Sequence, residues 1–259
     1  MKNKIIFLGN GALAEAAYEV LCDSCEVVFW AKKKEDLDEV VRIRRENPEI
    51  KAVLASFGVL IPEGVLSEFE PEGILNIHPS LLPKYRGPSP IETAILNGDV
   101  DFGVSVMKLA KKMDAGPIYW QETVRDLPLD KDEIYRSLAR TGAEWVVQNI
   151  ANLPEPVAQN DAEATYTSKI EKKMGVLEPE KEPAEAILRK IVAFQGWPRA
   201  KYAFFGVNSA ILEAKRVEMG SIPLLPIKCA DGGVIEVLRL QPDGRKPMDA
   251  KAFLNGYRK

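Results

Sequence analysis

The chain has 259 residues, of which 46% are hydrophobic and 28% charged, and its formal net charge is −3. This length and balance indicate a globular protein with one large or two modest domains. No run approaches the ~18 apolar residues of a membrane span, and the apolar run at the N-terminus is too short for a signal peptide. We therefore expect a cytoplasmic protein with no membrane partner.

The three cysteines are too few for a disulfide framework. Cys22 and Cys25 form a C-x-x-C pair, but the chain has no second pair, and its single histidine, His78, is far away in sequence. A zinc site therefore lacks ligands, and we expect no metal. A redox role for the pair stays open beside the simpler interpretation of two reduced thiols.

Charge is distributed unevenly along the chain. Residues 167–259 contain 17 Lys and Arg against 11 Asp and Glu, a net charge of +6, whereas residues 1–166 have a net charge of −9. This asymmetry is compatible with a polyanion such as RNA meeting the second part of the chain, and equally with a solvated basic surface.

Strands and helices alternate through the first part of the chain, which predicts a mostly parallel sheet covered on both faces. A turn around Asp114 joins two strands as a hairpin and would add an antiparallel edge. The predicted strands are Lys4–Gly9, Glu26–Trp30, Ala52–Phe57, the strand ending at Asn76–His78, Asp101–Leu109 and Ile118–Thr123. The predicted helices are Ala12–Leu21, Glu35–Asn47, Glu63–Phe69, Pro90–Leu96 and Lys131–Asn152.

The first turn, Gly9–Ala14, matches the G-x-G-x-x-A pattern of dinucleotide-binding proteins. In such proteins an acid at the tip of the second strand holds the ribose. Here the second strand ends in Ala31–Lys34, without an acid. We therefore interpret the glycines as a tight turn, with NAD or FAD binding as the alternative.

The pattern changes to β after an irregular passage and a helix, Pro183–Phe194. Ala230–Gly233 is a strong hairpin signal between two predicted strands. The domains predicted are 1–166, a linker over 167–182, and a small β domain over 183–259. The later elements are the strands Lys201–Phe205, Ser209–Val217, Leu225–Cys229 and Val234–Leu240, and a terminal helix Asp249–Leu254.

Three polar residues suit a reaction at a carbonyl carbon. Asn76 and His78 are two residues apart on a strand and so point to the same side, and Asp114 follows another strand of the same sheet. We expect His78 and Asp114 to lie at one edge of the sheet, where strands end in loops and α/β sheets bind ligands. Pairing with a carboxylate is expected to raise the pKa of His78, and a carboxamide can donate to a developing oxyanion. A structural histidine and a turn-forming aspartate remain the simpler interpretation of these residues alone.

Longer motifs around these residues resemble those of the 10-formyltetrahydrofolate-dependent formyltransferases. The likeness lies in Asn76–Gly87, in Pro90-Ile91 and in Met113–Gly116. It implies a Rossmann-like α/β catalytic domain and a catalytic trio of Asn76, His78 and Asp114. It also implies a site for the formyl donor, 10-formyltetrahydrofolate, lined by Ser80, Leu81, Leu82, Pro83, Phe57 and Val59.

Within the family, the second half resembles methionyl-tRNA formyltransferases. The matching stretches are Ala164–Ile170, Gln195–Ala200 and Leu240–Met248. The resemblance implies a C-terminal OB-like β-barrel and formyl transfer to initiator methionyl-tRNA by a monomer. A basic insertion usual after the second strand is missing, and only Lys32–Lys34 stands there. A formyltransferase acting on a small amine, such as an amino sugar nucleotide, and a non-catalytic RNA-binding protein are the alternatives.

Overall fold

The computed structural model describes residues 2–257, and its contacts divide the chain into two compact units. The first unit comprises the chain up to Ile91 together with Val100–Ser168. The second comprises Glu92–Asp99 and the chain from Lys169 onward. The predicted boundaries at residues 166 and 183 did not anticipate that residues 92–99 belong with the second unit.

A six-stranded sheet forms the centre of the first unit. Its strands are β1 (Lys4–Gly9), β2 (Glu26–Ala31), β3 (Lys51–Ala55), β4 (Ile74–His78), β5 (Phe102–Lys108) and β6 (Ile118–Val124). The spatial order is β2-β1-β3-β4-β5-β6, with the first four strands parallel. Strand β5 runs antiparallel to β4, and β6 runs antiparallel to β5. The predicted mostly parallel α/β sheet with an antiparallel edge is confirmed.

The helices that accompany this sheet begin and end within a few residues of the predicted bounds. They are α1 (Ala12–Ser24), α2 (Leu37–Glu46), α3 (Glu63–Ser67) and α5 (Lys131–Asn149), whereas α4 (Pro90–Asn97) belongs to the second unit from Glu92 onward. On one face, Leu54, Phe57 and Ile74 belong to a buried apolar cluster. On the other face, α5 approaches so closely that a Cβ on Gly142 would lie 2.6 Å from Ile77 Cγ2. Ile77 therefore points to α5.

The first turn has the packing of a tight connection rather than of a phosphate cradle. A Cβ on Gly9 would lie 2.3 Å from Ala55 O and 2.7 Å from Ala14 Cβ. Only glycine at this position therefore allows β3 and α1 to pack this closely against β1. Gly11 has a φ of 83°, a conformation that favours glycine. The Trp30 indole donates to Gly9 O at 3.0 Å, and Lys32 lies over its ring where the ribose-binding acid would be expected. These contacts favour the tight-turn interpretation.

The second unit contains the predicted helix and the predicted small antiparallel β domain. Besides most of α4, its helices are α6 (Ala184–Ala193) and α7 (Ala250–Tyr257), and its strands are β7 (Ala200–Phe204), β8 (Val207–Arg216), β9 (Pro226–Lys228), β10 (Val234–Pro242) and β11 (Met248–Asp249). The strands pair in the order β11-β10-β8-β7, with β9 also on β10. Ile187 and Ile191 of α6 pack with Ile211, Val237 and Phe253 in its core. The predicted hairpin at Ala230–Gly233 is present as β9–β10, and β7 and β8 form a second antiparallel pair.

The cysteines are free thiols in this structure. Cys25 is buried, and burial raises the pKa of its thiol, which disfavours the reactive thiolate. Among residues 2–257, none of the helices combines the length and the apolar composition needed to cross a membrane.

Candidate active site

The site is built on the last residues of β4. All five residues of this strand are buried. Because Ile77 points to α5, its neighbours Asn76 and His78 point to the opposite face, each with 5% of its surface exposed. Ile74, on that same face, lies in the apolar cluster. Along this face the side chains therefore change from apolar at Ile74 to polar at Asn76 and His78. Polar side chains at the carboxyl end of a strand are expected where an α/β sheet binds its ligand.

The His78 ring is held by the loop that follows it. His78 Nε2 lies 3.2 Å from Tyr85 O. A carbonyl oxygen only accepts hydrogen bonds, so Nε2 has the proton and donates it. In the neutral ring, Nδ1 is then unprotonated, and it lies 3.8 Å from Asp114 Oδ1. This distance leaves the imidazole and the carboxylate facing each other without a direct hydrogen bond.

Asp114 reaches His78 by a route that differs from the predicted one. The sequence-based expectation placed both residues at one edge of the sheet, where strands end. However, β5 is antiparallel to β4, with Lys108 beside Leu75 and Ser105 beside His78. The turn of residues 109–117 therefore starts near the opposite end of β4 and folds back to bring Asp114 to the imidazole. The expectation of a common edge was wrong, whereas the two side chains do lie together.

The Asp114 carboxylate does raise the pKa of His78, as expected from the pairing, but it does not set the net direction of the shift. Burial disfavours the charged ring and lowers the pKa of His78 below its ordinary value. The Asp114 carboxylate and the hydrogen bond to Tyr85 O act in the opposite direction, but burial is the larger effect. The imidazole is therefore neutral at physiological pH, and it is free to accept a proton at Nδ1.

The Asn76 carboxamide differs from its neighbours in having no protein partner within the described part of the chain. Asn76 has 5% of its surface exposed, and none of the hydrogen bonds among residues 2–257 involves its side chain. Its amide atoms are not among the fully buried side-chain atoms that lack a partner in that part of the chain, so they keep contact with solvent that a ligand can replace. This group can donate to a substrate oxygen.

The turn Ser80–Pro83, predicted to line the folate site, is fixed to β5 and β6. Ser105 Oγ donates to Ser80 O at 2.5 Å and accepts from Leu82 N at 3.0 Å. Gln121 Nε2 donates both to Leu82 O and to Ser105 Oγ at 2.8 Å. This arrangement gives the turn after His78 a rigid shape.

The remaining predicted folate residues lie in different surroundings. Leu82 and Phe57 are buried, and Phe57 belongs to the apolar cluster below β3. Leu81 packs so closely on Gly103 that a Cβ there would lie 2.2 Å from Leu81 Cγ. Val59 and Pro83 are half-buried. Among these residues, Leu81, Val59 and Pro83 keep surface that a ligand can contact.

Two residues that the sequence did not single out join Asp114 to the rest of the site. Gln159 Nε2 donates to Asp114 O at 2.8 Å, and the guanidinium of Arg86 donates to Gln159 Oε1. Gln159 lies in the irregular passage after α5, where no periodicity points to a role. Arg86 lies within the Asn76–Gly87 motif, and its complete burial is a feature that the sequence cannot show.

The second unit has an open groove of about 370 Å³ with a basic lining. Trp197 lines it with 56% of its surface exposed, and Lys172, Arg199 and Lys201 contribute positive charges. Lys201 Nζ lies 3.1 Å from Asp243 Oδ1, and both side chains are well exposed. An exposed ion pair of this kind contributes little free energy, so a phosphate can compete with Asp243 for Lys201.

A search of the described residues finds no group of three or more His, Cys, Asp or Glu side chains placed to hold a metal ion. The site therefore offers a carboxamide donor, a neutral imidazole and a carboxylate to a bound substrate. Such a set suits acid–base chemistry at a carbonyl-like carbon.

Comparison with known proteins agrees with this fold. The sheet and the polar strand end are typical of an α/β group-transferring enzyme. The family model described as "Formyl transferase" matches residues 10–150, and "Formyl transferase, C-terminal domain" matches residues 169–258. The chain belongs to the formyl transferase family.

Relatives and structural neighbours differ in how much they share with this chain. A protein named methionyl-tRNA formyltransferase from Dehalococcoides mccartyi (strain CBDB1) is 34% identical over 246 residues, which cover 89% of this chain and 78% of that protein. HypX from Aquifex aeolicus, solved with tetrahydrofolic acid, superposes with a TM-score of 0.76 at 19% identity, over 99% of this chain and 47% of that one. An N-formyltransferase from Helicobacter canadensis, solved with folinic acid and dTDP-3-aminofucose, has a TM-score of 0.64 at 19% identity. The match covers 93% of this chain and 100% of that one. At these identities the two structures show a common fold.

Proposed function

We propose that this enzyme transfers a formyl group from 10-formyltetrahydrofolate to the amine of methionyl initiator tRNA, with Asn76, His78 and Asp114 as its catalytic residues. The observation that carries the chemistry is the Asn76 carboxamide, which has no protein partner among residues 2–257 and lies on the same strand face as an imidazole that faces a carboxylate. The acceptor is inferred from the relative named methionyl-tRNA formyltransferase, which matches 89% of this chain.

The reaction begins with attack of the acceptor amine on the formyl carbon. A C–N bond forms, and the formyl oxygen gains negative charge that Asn76 stabilises by donating a hydrogen bond. A preorganised donor of this kind typically contributes ~2.7–4 kcal/mol to lowering the barrier. The lowered pKa of His78 makes the resting ring neutral, so this residue first acts as a base.

Proton transfer completes the reaction. His78 Nδ1 accepts the proton that the attacking amine loses, and the facing Asp114 carboxylate stabilises the resulting imidazolium. The bond from the formyl carbon to N10 of the folate then breaks. The imidazolium returns the proton to N10, which leaves tetrahydrofolate and the formylated amine.

We place the folate beside the rigid turn that follows His78. Ser105 and Gln121 hold this turn in place, so a donor bound there meets a preformed surface. Leu81, Pro83 and Val59 supply its apolar contacts in this proposal. The buried residues of the predicted set support this surface from the protein interior; they are Ser80, Leu82 and Phe57.

We place part of the tRNA backbone on the groove of the second unit. Lys172, Arg199 and Lys201 provide positive charge for phosphates, and the exposed Trp197 offers a ring on which a base can stack. The positive net charge of residues 167–259 is consistent with this assignment.

A small amine is the second candidate acceptor. The connection from β2 to α2 is short, with Lys32 and Lys33 followed directly by a single helical turn at Lys34–Asp36. It therefore lacks the basic insertion that formyltransferases of tRNA usually have there.

A transfer assay distinguishes these functions. We expect formyl transfer from 10-formyltetrahydrofolate to methionyl initiator tRNA, measured as acid-precipitable formyl-methionyl-tRNA, to exceed transfer to a dTDP-amino sugar by at least about tenfold in kcat/KM. Transfer to the amino sugar alone would establish the second candidate. The absence of transfer to either acceptor would leave a non-catalytic RNA-binding protein.

A further inference from the structure

A fully buried arginine lies next to the site, and the proposed reaction does not use it. Arg86 has 0% of its surface exposed and is among the largest completely buried side chains of the described residues. A charged group in such a place is strongly destabilising unless polar partners surround it. The groups that Arg86 contacts therefore indicate its role.

The guanidinium of Arg86 makes several directed contacts. Its Nε and Nη2 donate to Gln159 Oε1 at 3.0 and 2.7 Å. Its Nη1 lies 2.7 Å from Asp161 Oδ1 and 3.4 Å from the hydroxyl of Tyr166. The backbone is fixed as well, since Arg86 N donates to Thr165 O at 2.9 Å. The side chain thus joins the loop after His78 to the passage after α5.

The far end of Gln159 holds the turn that contains Asp114. Gln159 Nε2 donates to Asp114 O at 2.8 Å and to Gly116 O at 2.7 Å. The next residue after Arg86 completes the arrangement, because Gly87 N donates to Asp114 Oδ2 at 2.7 Å. One carboxylate oxygen of Asp114 is fixed in this way, and the other faces His78.

Asp114 needs this support because its backbone is strained. Its φ is 50°, a left-handed conformation that is unfavourable for a non-glycine residue. Such a conformation persists only where surrounding contacts enforce it. Without Gln159, the turn keeps no described side-chain hydrogen bond to either Asp114 O or Gly116 O.

We propose that Arg86 and Gln159 are positioning residues that hold the Asp114 carboxylate toward His78. This inference rests on the proposed function for its catalytic consequence, but the geometry that it describes can be measured without turnover. Arg86 orients Gln159, Gln159 fixes the turn, and the turn presents Asp114 Oδ1 to the imidazole.

Three variants and one control test the arrangement. Gln159→Met keeps the length of the side chain and removes both hydrogen bonds to the turn, while Arg86 keeps Asp161 as a partner. Arg86→Met replaces the guanidinium with an apolar chain of similar reach. Arg86→Lys keeps the charge without the planar fork, so we expect it to restore only part of the effect. Arg136→Met is the matched control, since Arg136 is exposed on α5 and bonds Glu133.

The most direct readout is the NMR titration of His78, which is the only histidine of the chain. Because the Asp114 carboxylate raises the pKa of His78, its displacement should lower that pKa. We expect Gln159→Met and Arg86→Met to shift the titration in the same direction as Asp114→Asn. A role limited to fold stability would leave the titration of the folded protein unchanged.

Kinetics supply the second readout. We expect kcat to fall by up to about a hundredfold with KM for both substrates nearly unchanged, because a small misplacement of a catalytic group has that size of effect. If Arg86→Met does not fold, Gln159→Met decides the question. A folded Gln159→Met protein with the wild-type titration and kcat would overturn the proposal. If the wild-type enzyme transfers no formyl group, the proposed function fails, and the titration still tests the positioning.

Discussion

The His78 site of the first unit and the Trp197 groove of the second hold their charged groups in opposite ways. His78 and Asp114 are largely buried, and the Asp114 carboxylate accepts a fixed backbone hydrogen bond from Gly87. In the groove, Lys201 and Asp243 are exposed to water and contact each other only as a surface ion pair. Burial dominates the electrostatics of the first region, whereas solvent screens the second.

This difference matches what each region is proposed to do. Proton transfer needs groups whose positions and pKa values are fixed before the substrate arrives, and a buried, hydrogen-bonded setting provides both. Binding of a polyanion needs mobile positive charges that can exchange one partner for another, and exposed lysines provide them. Substitutions in the two regions should therefore affect different kinetic constants.

Removal of the polar side chains of the His78 site should have the greatest consequence. We expect Asn76→Ala to lower kcat by about 100- to 1,000-fold, because it removes a preorganised oxyanion donor. Asp114→Ala should reduce kcat to a similar extent, since the imidazolium loses its counter-ion. Transfer assays that are stopped at fixed times, with both substrates saturating, measure kcat for the two variants. The thermal unfolding of Asn76→Ala should differ little from that of the wild type, because the Asn76 carboxamide has no protein partner to lose.

Asn208→Ala is a suitable control for this pair, because it removes an exposed carboxamide from β8 in the second unit. It should leave kcat unchanged. Near-wild-type turnover in Asn76→Ala or Asp114→Ala would contradict the assignment of the catalytic residues.

Charge removal in the groove should have a moderate effect on a different constant. We expect Arg199→Gln combined with Lys201→Gln to raise KM for methionyl-tRNA several-fold and to leave kcat nearly unchanged. Each lost phosphate contact should also reduce the slope of log affinity against log salt by about one. Filter binding at several salt concentrations measures this slope.

An exposed lysine outside the groove provides the comparison for that experiment. Lys4→Gln removes a surface charge from the first unit, where Lys4 forms only an exposed ion pair with Glu26. An equal loss of tRNA affinity in Lys4→Gln and in the groove variant would show that general charge, and not the groove, determines binding.

The pH dependence of folding should show the smallest effect. The folded-state pKa of His78 lies below that of the unfolded chain, ~6.5, because burial disfavours the charged ring. Between the two values the unfolded chain binds a proton and the folded chain does not. The stabilisation is therefore fully present above about pH 6.5 and is lost as the pH falls through the folded-state pKa.

Urea unfolding between pH 7.5 and 5.5 measures this dependence. His78→Gln should flatten the curve in that window, since carboxyl groups titrate mainly below it. An unchanged slope in His78→Gln would mean that other groups cause the dependence.

Much of the fold follows from local patterns, because buried strands and amphipathic helices have clear periodicities. The shared direction of Asn76 and His78 also follows from strand geometry alone. The approach of Asp114 does not, because it depends on β5 running antiparallel to β4 and on a turn that folds back. The neutral state of His78 depends on complete burial, and the link through Gln159 joins residues 45 positions apart. No local pattern encodes these long-range features.

The returning turn of residues 109–117 has a consequence for how this sequence can change over evolutionary time. The turn leaves β5 at Lys108, beside Leu75, and must bring Asp114 to His78 before the chain re-enters the sheet at Ile118. Its number of residues therefore sets the reach of the carboxylate. Many of its side chains can be exchanged, but the insertion or deletion of a single residue would displace Asp114 along the sheet. Length, more than composition, is what selection on this segment would preserve.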